Sequence, residues 1–444
     1  MEIEKLKVSH TKRNILIGGI IILLLIGITL TFTRAKYRTT QSIPLLNGTI
    51  NYELSDLNLI GAYIQQGEEY VKTDTIPTSG YEFNAEESYC TINNERDDNI
   101  TLSFDMTTQN LTVTPLTTKG TKCYLYFDEK LSAGDTILAH YQTVLTRTSF
   151  SSTVTNTTTG TIYKSANESQ YDDFGEVYYF AGNPTDNWFQ FGTNSSGQPL
   201  YWRIVRINGD GSIRLIYNGT STAQTGDSTM INTSQAFNSS YNNIYVGYMY
   251  QSGQPHGLTT NSSIKTTLDS WYLSNLADEA EYLDGNAGFC GDRRTSSGTG
   301  TSSTDYAAYN RLVNSKNPSF KCTDSQDLYT TPGSSKGNGA LKVTPGENDS
   351  TPTPIGLITA DEVAFAGGVY GSNNTSYYLY NNAYYWTMSP SIYNGNARVF
   401  LVSSNGGLFD SNVYFTYGVR PVINLKSAIA ISGSGTTSDP YTIS

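Results

Sequence analysis

The alternation of apolar and polar positions divides the chain into three parts. Residues 15–32 are an uninterrupted apolar run, whereas residues 45–130 and 166–444 contain short runs of β-branched and aromatic residues separated by polar turns. Short runs of this kind, bounded by Gly, Asn and Ser, are typical of β-strands. The pattern therefore predicts an N-terminal apolar segment followed by two β-rich units.

The apolar run, ILIGGIIILLLIGITLTF, predicts a transmembrane anchor. Its 18 residues would rise about 27 Å as a helix, close to the roughly 30 Å thickness of a hydrocarbon core. A cleaved secretory signal is the alternative, although Arg34 and Lys36 stand where small residues would be expected; a core helix is a third. As an anchor, the run makes residues 1–14 a cytoplasmic tail. We then expect a single-pass protein of the cell membrane whose C-terminal bulk is extracellular.

Residues 45–130 predict a small all-β sandwich. Cys90 and Cys123 both lie in strand-like runs and can cross-link them. Four cysteines in an exported chain predict two disulfides, and no C-x-x-C pair or nearby His favours a metal site. The absence of any Trp before Trp188 argues against an immunoglobulin domain.

A connector at residues 131–165 separates the two units. Ile137, Leu138, Tyr141 and Leu145 recur at helical spacing and predict a short amphipathic helix. A nearly uncharged, Ser/Thr-rich stretch follows and is expected to be a linker.

Residues 166–444 predict one large unit with hairpins and a few helices. The strongest hairpin signal is at residues 202–217, where two apolar runs flank the turn Asn-Gly-Asp-Gly. Residues 262–276 have the apolar spacing of an amphipathic helix, and Thr359 is a natural N-cap for a shorter one. Cys290 and Cys322 bracket a Ser/Thr/Gly-rich loop that a second disulfide would tether.

The composition is that of a turn-rich, neutral-polar β protein. Only 15% of the residues are charged, whereas the chain has 34 Tyr and 40 Gly. The net charge of −11 argues against a nucleic-acid partner, because phosphates are bound by clustered Lys and Arg.

Catalytic motifs are absent from the sequence. Of the three histidines, only His256 lies in the large unit, and we expect it to be an exposed loop residue. There is no H-E-x-x-H or P-loop. The sequence therefore predicts a non-enzymatic protein without a cofactor. Calcium could be bound by oxygen ligands, although a role in turns is the simpler explanation for the candidate residues; these are Asn208, Asp210, Asp172 and Asp173.

The richest aromatic and amide stretch lies between residues 384 and 425. Tyr, Asn and Ser are the residues of adaptable recognition surfaces, so the turns of this stretch are the candidate ligand site. Trp386 and Arg420 are expected to belong to the scaffold. The candidate ligand-binding residues are Tyr393, Asn394, Asn396, Asn405, Asn412, Tyr414 and Tyr417.

The blocks WRIVRINGDGSIRLIY, GFCGDRR, GLITADEVAFAGG, YWTMSPS and GVRPVINLKS resemble an uncharacterised family of exported surface proteins from low-GC Gram-positive bacteria. Their C-terminal domain of unknown function is similar to the C-type-lectin-like fold, in its sulfatase-modifying-factor branch. The resemblance rests on residues 386–390 and 418–422 and implies an α+β domain rich in irregular coil. Cysteine chemistry of that branch does not carry over, since no Cys follows Cys322. Residues 384–425 also resemble the hypervariable ends of retroelement-diversified proteins. That resemblance would make Asn394, Asn396, Asn405 and Asn412 variable positions.

The expected fold class is thus an N-terminal transmembrane helix, a small all-β sandwich and a large α+β C-type-lectin-like domain. The expected function is recognition or adhesion at the cell surface, with a glycan or a host or bacterial surface protein as ligand of the C-terminal domain. The alternatives are a surface enzyme acting on cell-wall or host glycans, and a structural surface-layer component.

Overall fold

The computed structural model of the chain describes residues 57–67, 69–77, 80–106, 108–115, 121–300, 302–345 and 350–444. Chain contacts divide it into two units, Met1–Lys130 and Leu131–Ser444. The expected tail and transmembrane segment, residues 1–14 and 15–32, lie outside the described residues. Within the described part, no helix is both long and apolar enough to cross a membrane.

The smaller unit consists of strands. A five-stranded sheet has the order β2-β1-β7-β3-β4, and β5 and β6 form a separate antiparallel pair. In the sheet, β7 runs parallel to β1 and antiparallel to β3. The strands are β1 Leu57–Gln66, β2 Glu69–Thr73, β3 Tyr81–Ile92, β4 Glu95–Arg96, β5 Thr101–Asp105, β6 Asn110–Thr114 and β7 Thr121–Glu129.

The core of this unit joins the β5–β6 pair to the sheet. Phe104 of β5 packs edge-on against Phe127 of β7, with 5.4 Å between the ring centroids. Cys90 and Cys123 lie directly opposite each other in the β3–β7 register and are disulfide-bonded. The predicted pairing of these two cysteines is therefore confirmed.

Two seven-stranded sheets dominate the larger unit. The central sheet has the order β25-β13-β12-β10-β9-β8, with β11 paired to β12. The C-terminal sheet has the order β14-β24-β21-β19-β18, with β22 paired to β21 and β23 to β22. The strands are β8 Thr143–Thr146, β9 Thr161–Lys164, β10 Tyr178–Tyr179, β11 Trp188–Thr193, β12 Pro199–Ile207, β13 Ile213–Tyr217, β14 Asn232–Ala236, β15 Met249–Tyr250, β16 Thr260–Asn261, β17 Phe289–Cys290, β18 Thr295–Ser297, β19 Thr304–Tyr306, β20 Leu328–Tyr329, β21 Tyr385–Tyr393, β22 Ala397–Val402, β23 Leu408–Asn412, β24 Thr416–Val419, β25 Val422–Leu425, β26 Ile431–Ser432 and β27 Thr442–Ile443.

Helices in the larger unit are few and mostly one or two turns long. The longest, α2, is capped by the Ser262 hydroxyl, which accepts a hydrogen bond from the Lys265 amide, and it buries Ile264, Leu268 and Tyr272. The α-helices are α1 Ala133–Leu138, α2 Ser263–Asn275, α3 Ala307–Tyr309 and α4 Ala360–Ala366; a π-helical turn follows at Asn310–Asn314, and 3₁₀ turns occur at Glu168–Gln170, Gly226–Thr229, Asn243–Val246, Ala277–Tyr282 and Ser325–Asp327.

The expected fold class is wrong, because the described residues are mostly β-sheet and do not form the α+β C-type-lectin-like domain anticipated for residues 166–444. The helical spacings seen in the sequence end after one or two turns everywhere except in α2. The β-branched and aromatic runs between them pair instead into the two large sheets, which also include strands from residues 131–165. Cys290 and Cys322 are disulfide-bonded, as predicted.

A buried ion network attaches α4 to the central sheet. Arg206 of β12 donates through Nε to Glu362 of α4 at 3.0 Å and through Nη1 to Asp172 at 3.0 Å. Arg214, on neighbouring β13, is also ion-paired with Glu362. Burial raises the pKa of Glu362, but the charges of Arg214 and Arg206 outweigh it and hold that pKa below its ordinary value. Glu362 is therefore a carboxylate shared by two buried guanidinium groups.

Replacement of this carboxylate tests its structural role. We expect Glu362→Gln to lower the free energy of unfolding by about 3–5 kcal/mol, because both buried guanidinium groups lose their shared counter-ion. Urea denaturation followed by circular dichroism measures the change. The matched control is Glu176→Gln, which removes the half-exposed ion pair with Lys164 and should cost no more than about 1 kcal/mol. Equal losses in the two variants would contradict the assignment.

Candidate functional site

The structure brings most of the candidate ligand residues to one end of the C-terminal sheet. The β21–β22 turn holds Asn394 and Asn396 around Gly395, whose φ of +91° suits glycine. Arg398 of β22 lies opposite Asn412 of β23, so the end of β23 returns to the same edge. Tyr393 ends β21 just before the first turn, and Tyr414 lies in a second turn that follows β23.

Asn405 does not belong to this group. It lies in the turn between β22 and β23, at the opposite end of the two strands. There its carbonyl accepts a hydrogen bond from the Asn374 amide at 3.0 Å. Tyr417 lies on β24 beside Gln235 of β14. The candidate residues therefore do not form one group. Most lie together at one end of the sheet, whereas Tyr417 lies on a neighbouring strand and Asn405 at the opposite end.

Three exposed aromatic side chains stand at this end, and we call them the aromatic patch: Tyr241, Tyr414 and Phe415, with exposed fractions of 56%, 39% and 47%. A fourth exposed ring, Tyr384 at 43%, precedes the other end of β21, where Tyr385 pairs with Val402. Among the described residues, every other aromatic side chain is buried or half-buried. Large aromatic surfaces left in water in one region are characteristic of binding sites.

Backbone hydrogen bonds place Tyr241 beside the turn that holds Tyr414 and Phe415. The Ala397 amide donates to the Tyr241 carbonyl at 2.7 Å, and the Val413 amide donates to the Ala397 carbonyl at 3.0 Å. The rings of Tyr414 and Phe415 are 4.9 Å apart. Residues distant in sequence therefore form one end of the sheet.

Tyr417 and Trp386 support Tyr384 from below. The Tyr417 ring lies 5.4 Å from Tyr384 and 5.0 Å from Trp386. Trp386 is fully buried, and its indole N–H donates to the Gln235 carbonyl at 2.8 Å. Because Trp386 has its polar atom satisfied inside the fold, it holds the surface tyrosines in position and does not itself face solvent.

Amide groups lie next to the aromatic rings. The Asn412 side chain donates to the Tyr414 hydroxyl at 3.0 Å, while its carbonyl oxygen has no hydrogen-bond partner among the described residues. Asn394 is exposed and Asn396 half-buried. The Asn412 oxygen is itself buried, so the groups open to a ligand are the ring faces, the exposed Asn394 amide and the Tyr414 hydroxyl. Ring faces can stack against a ligand, and the polar groups can bond its polar edge.

The candidate residues chosen from the sequence include neither Tyr241 nor Phe415. Alternation along a strand puts Val413 and Phe415 on one side, but residues 413–415 form a turn in which Val413 is buried and Phe415 exposed. Tyr241 lies far away in the sequence, in the polar stretch Asn-Ser-Ser-Tyr-Asn-Asn. A single aromatic residue within such a stretch is the only local signal that could have indicated it.

His256 is half-buried rather than an exposed loop residue. Its Nδ1 lies 2.9 Å from Asp327 Oδ2, and its Nε2 lies 3.9 Å from Asp324 Oδ2. Asp327 also accepts a hydrogen bond from Arg293 at 2.9 Å. Within the described residues, no Ser, Thr or Cys forms a hydrogen bond to this imidazole.

The four calcium candidates use their side chains within the fold. Asp172 accepts hydrogen bonds from the Phe174 and Gly175 amides in addition to its ion pair with Arg206. Asp173 accepts one from the Cys322 amide, and Asn208 and Asp210 bond Ser212. Among the described residues, no three His, Cys, Asp or Glu side chains are grouped so as to hold a metal ion.

No family model, curated protein or solved structure matches this chain. Function is therefore inferred from the geometry of the sites themselves.

The His256–Asp327 contact predicts a pH dependence of stability. The hydrogen bond to Asp327 raises the pKa of His256 above its ordinary value. The folded protein thus holds this proton more tightly than the unfolded chain, so the stabilisation is complete below about pH 6.5. It decreases as the pH rises from there through the raised pKa.

Urea denaturation at a series of pH values measures this effect. We expect His256→Gln to flatten the decrease in unfolding free energy above about pH 6.5. Asp324→Asn, which removes the more distant carboxylate, should flatten it only in part. An unchanged pH profile in His256→Gln would show that another group causes the dependence.

Proposed function

We propose that this protein is an extracellular recognition or adhesion protein at the cell surface, and that its larger unit binds a glycan through the aromatic patch. The observation behind the proposal is the patch itself. Its three exposed rings lie at the edge formed by the β21–β22 turn and the end of β23, where Asn412 donates to the Tyr414 hydroxyl. Exposed aromatic surface of this extent has an energetic cost unless a ligand covers it.

A glycan suits this surface better than an apolar peptide. Sugar rings present apolar C–H faces and hydroxyl edges, and this edge of the sheet offers aromatic ring faces, the exposed Asn394 amide and the Tyr414 hydroxyl. The Tyr414 hydroxyl accepts a hydrogen bond from Asn412, so its own proton remains available to a ligand. A bacterial or host surface protein is the other ligand class that such a surface can serve.

The proposed location rests on the disulfides and on the N-terminal sequence. Both cysteine pairs are oxidised, which is typical of proteins outside the reducing cytosol. The apolar run at residues 15–32 would export the chain or hold it at the membrane. The resemblance to exported surface proteins of Gram-positive bacteria agrees with this location.

A glycan array probed with the solubilised full-length chain tests the function. We expect Tyr414→Ala, Phe415→Ala and Tyr241→Ala each to weaken binding of the selected glycan roughly tenfold or more, the usual effect of removing an aromatic anchor. The affinities are measured by isothermal titration calorimetry.

Asn405→Ala and Asn412→Ala form the matched pair for this test. Both remove one asparagine side chain from the β22–β23 hairpin, Asn405 from its turn and Asn412 from the end of β23, but only Asn412 adjoins the patch. We expect a loss of affinity for Asn412→Ala and none for Asn405→Ala. Equal effects would place the ligand elsewhere. Cleavage of the bound glycan would instead indicate a surface enzyme, and self-assembly without any ligand a structural surface-layer component.

A further inference from the structure

A polar cleft of about 240 Å³ lies in the larger unit and shares no residue with the aromatic patch. We call it the Arg203 cleft. Trp188 of β11 and Arg203 of β12 form part of its wall, and Thr225, Thr375 and Ser376 come from two surrounding loops. Its lining includes no Asp, Glu or Lys. Arg203 is therefore the one charged group that lines it among the described residues.

Arg203 is buried without a counter-ion. Only 7% of its surface is exposed, and its guanidinium group lies 4.3 Å from the Trp188 ring centroid. It donates to the Asn187 side-chain oxygen through Nε at 2.7 Å and to the Pro184 carbonyl through Nη2 at 2.8 Å. These acceptors are neutral, and Nη1 has no hydrogen bond within the described part of the chain.

A second guanidinium group adds to the uncompensated charge. Arg420 is fully buried and donates only to neutral oxygens: the carbonyls of Tyr217 and Leu379 and the side chain of Asn218 at 2.8 Å. Asn218 also lines the Arg203 cleft. Its oxygen faces Arg420, so its amide N–H groups remain available on the cleft side.

Three other buried arginines in this unit have a carboxylate partner, whereas Arg147, like Arg203 and Arg420, donates only to neutral oxygens. Arg206 and Arg214 share Glu362, and Arg293 pairs with Asp327. Asp186 acts on Arg203 only from a longer distance, without an ion pair. Burial lowers the pKa of Arg203 to about 9, and the group stays charged at neutral pH. A buried charge without a partner is unfavourable unless an anion completes the site.

We propose that the Arg203 cleft binds the carboxylate of an acidic monosaccharide. A planar guanidinium group matches a carboxylate in a bidentate geometry, and the Trp188 ring, the Asn218 amide and the Thr and Ser hydroxyls can contact the sugar. The cleft is smaller than the roughly 300–1,000 Å³ of pockets for drug-sized ligands, which restricts it to about one sugar unit. The proposal does not depend on ligand binding by the aromatic patch.

Isothermal titration calorimetry of the full-length chain with glucuronate and with glucose tests this proposal. The two sugars differ in the carboxylate, so we expect glucuronate to bind roughly tenfold or more tightly than glucose, the effect of one charge-assisted hydrogen bond. Equal affinities, or no binding of glucuronate, would overturn the proposal. Inorganic phosphate is the third probe. Binding of phosphate without glucuronate would overturn the assignment to a carboxylate.

Thr375→Asp and Thr375→Asn provide the matched variants. Thr375 is exposed at the cleft, so both substitutions are compatible with folding, and they differ only by one negative charge. We expect the Asp variant to lose roughly tenfold or more of its glucuronate affinity and the Asn variant to retain it. Similar affinities in the two would show that glucuronate binds elsewhere.

Arg203→Lys gives a second measurement. The lysine keeps the charge but loses the bidentate fork, so we expect weaker glucuronate binding. Circular dichroism and the unfolding midpoint first establish that the variant folds like the parent protein. If this variant does not fold, the Thr375 pair decides the question. An unchanged affinity in a folded Arg203→Lys variant would exclude Arg203 as the carboxylate ligand.

Discussion

The larger unit depends on one buried carboxylate, that of Glu362. Arg206 and Arg214 point from neighbouring strands of the central sheet into its interior, where each guanidinium group needs a counter-ion. Glu362 satisfies both, and its position is set by the capping box at the start of α4, where the Thr359 hydroxyl accepts from the Glu362 amide at 3.1 Å. The sheet can bury its arginines only when α4 is docked, so helix and sheet form together.

The same helix turn extends this constraint to the C-terminal sheet. The Ala360 amide donates to the Ser389 hydroxyl of β21 at 2.9 Å, and the Met388 amide donates to the Ile358 carbonyl at 2.8 Å. Strand β21 is therefore bonded to the segment that the ion network fixes. Its far end leads into the Asn394–Asn396 turn, so the aromatic patch stands on a rigid support. Recognition surfaces benefit from such support, because less conformational entropy is lost on binding.

Local features of the fold could be predicted from the sequence, and its non-local pairings could not. The hairpin at residues 202–217 and both disulfides follow from nearby residues and are confirmed. The α+β fold class was wrong because helical spacing over one turn does not distinguish a helix from a turn. Pairing of β25 with β13, or of Tyr241 with Ala397, leaves no local pattern. For that reason the sequence indicated Tyr414 of the aromatic patch but not Tyr241, which comes from a distant segment.

The buried arginines differ in whether a carboxylate of the chain pairs with them, and this difference bears on the role proposed for Arg203. The chain has 39 acidic and 28 basic residues, so carboxylates are not scarce, and Arg206, Arg214 and Arg293 each obtain one in the interior. Arg203 and Arg420 have only neutral acceptors among the described residues, and Arg203 lines an open cleft. Arg147 and Arg420 show that the fold can also bury a guanidinium group on neutral oxygens alone. Arg203 differs from them because it lines an open cleft with Nη1 unbonded, so an external anion can supply the counter-ion that the chain does not.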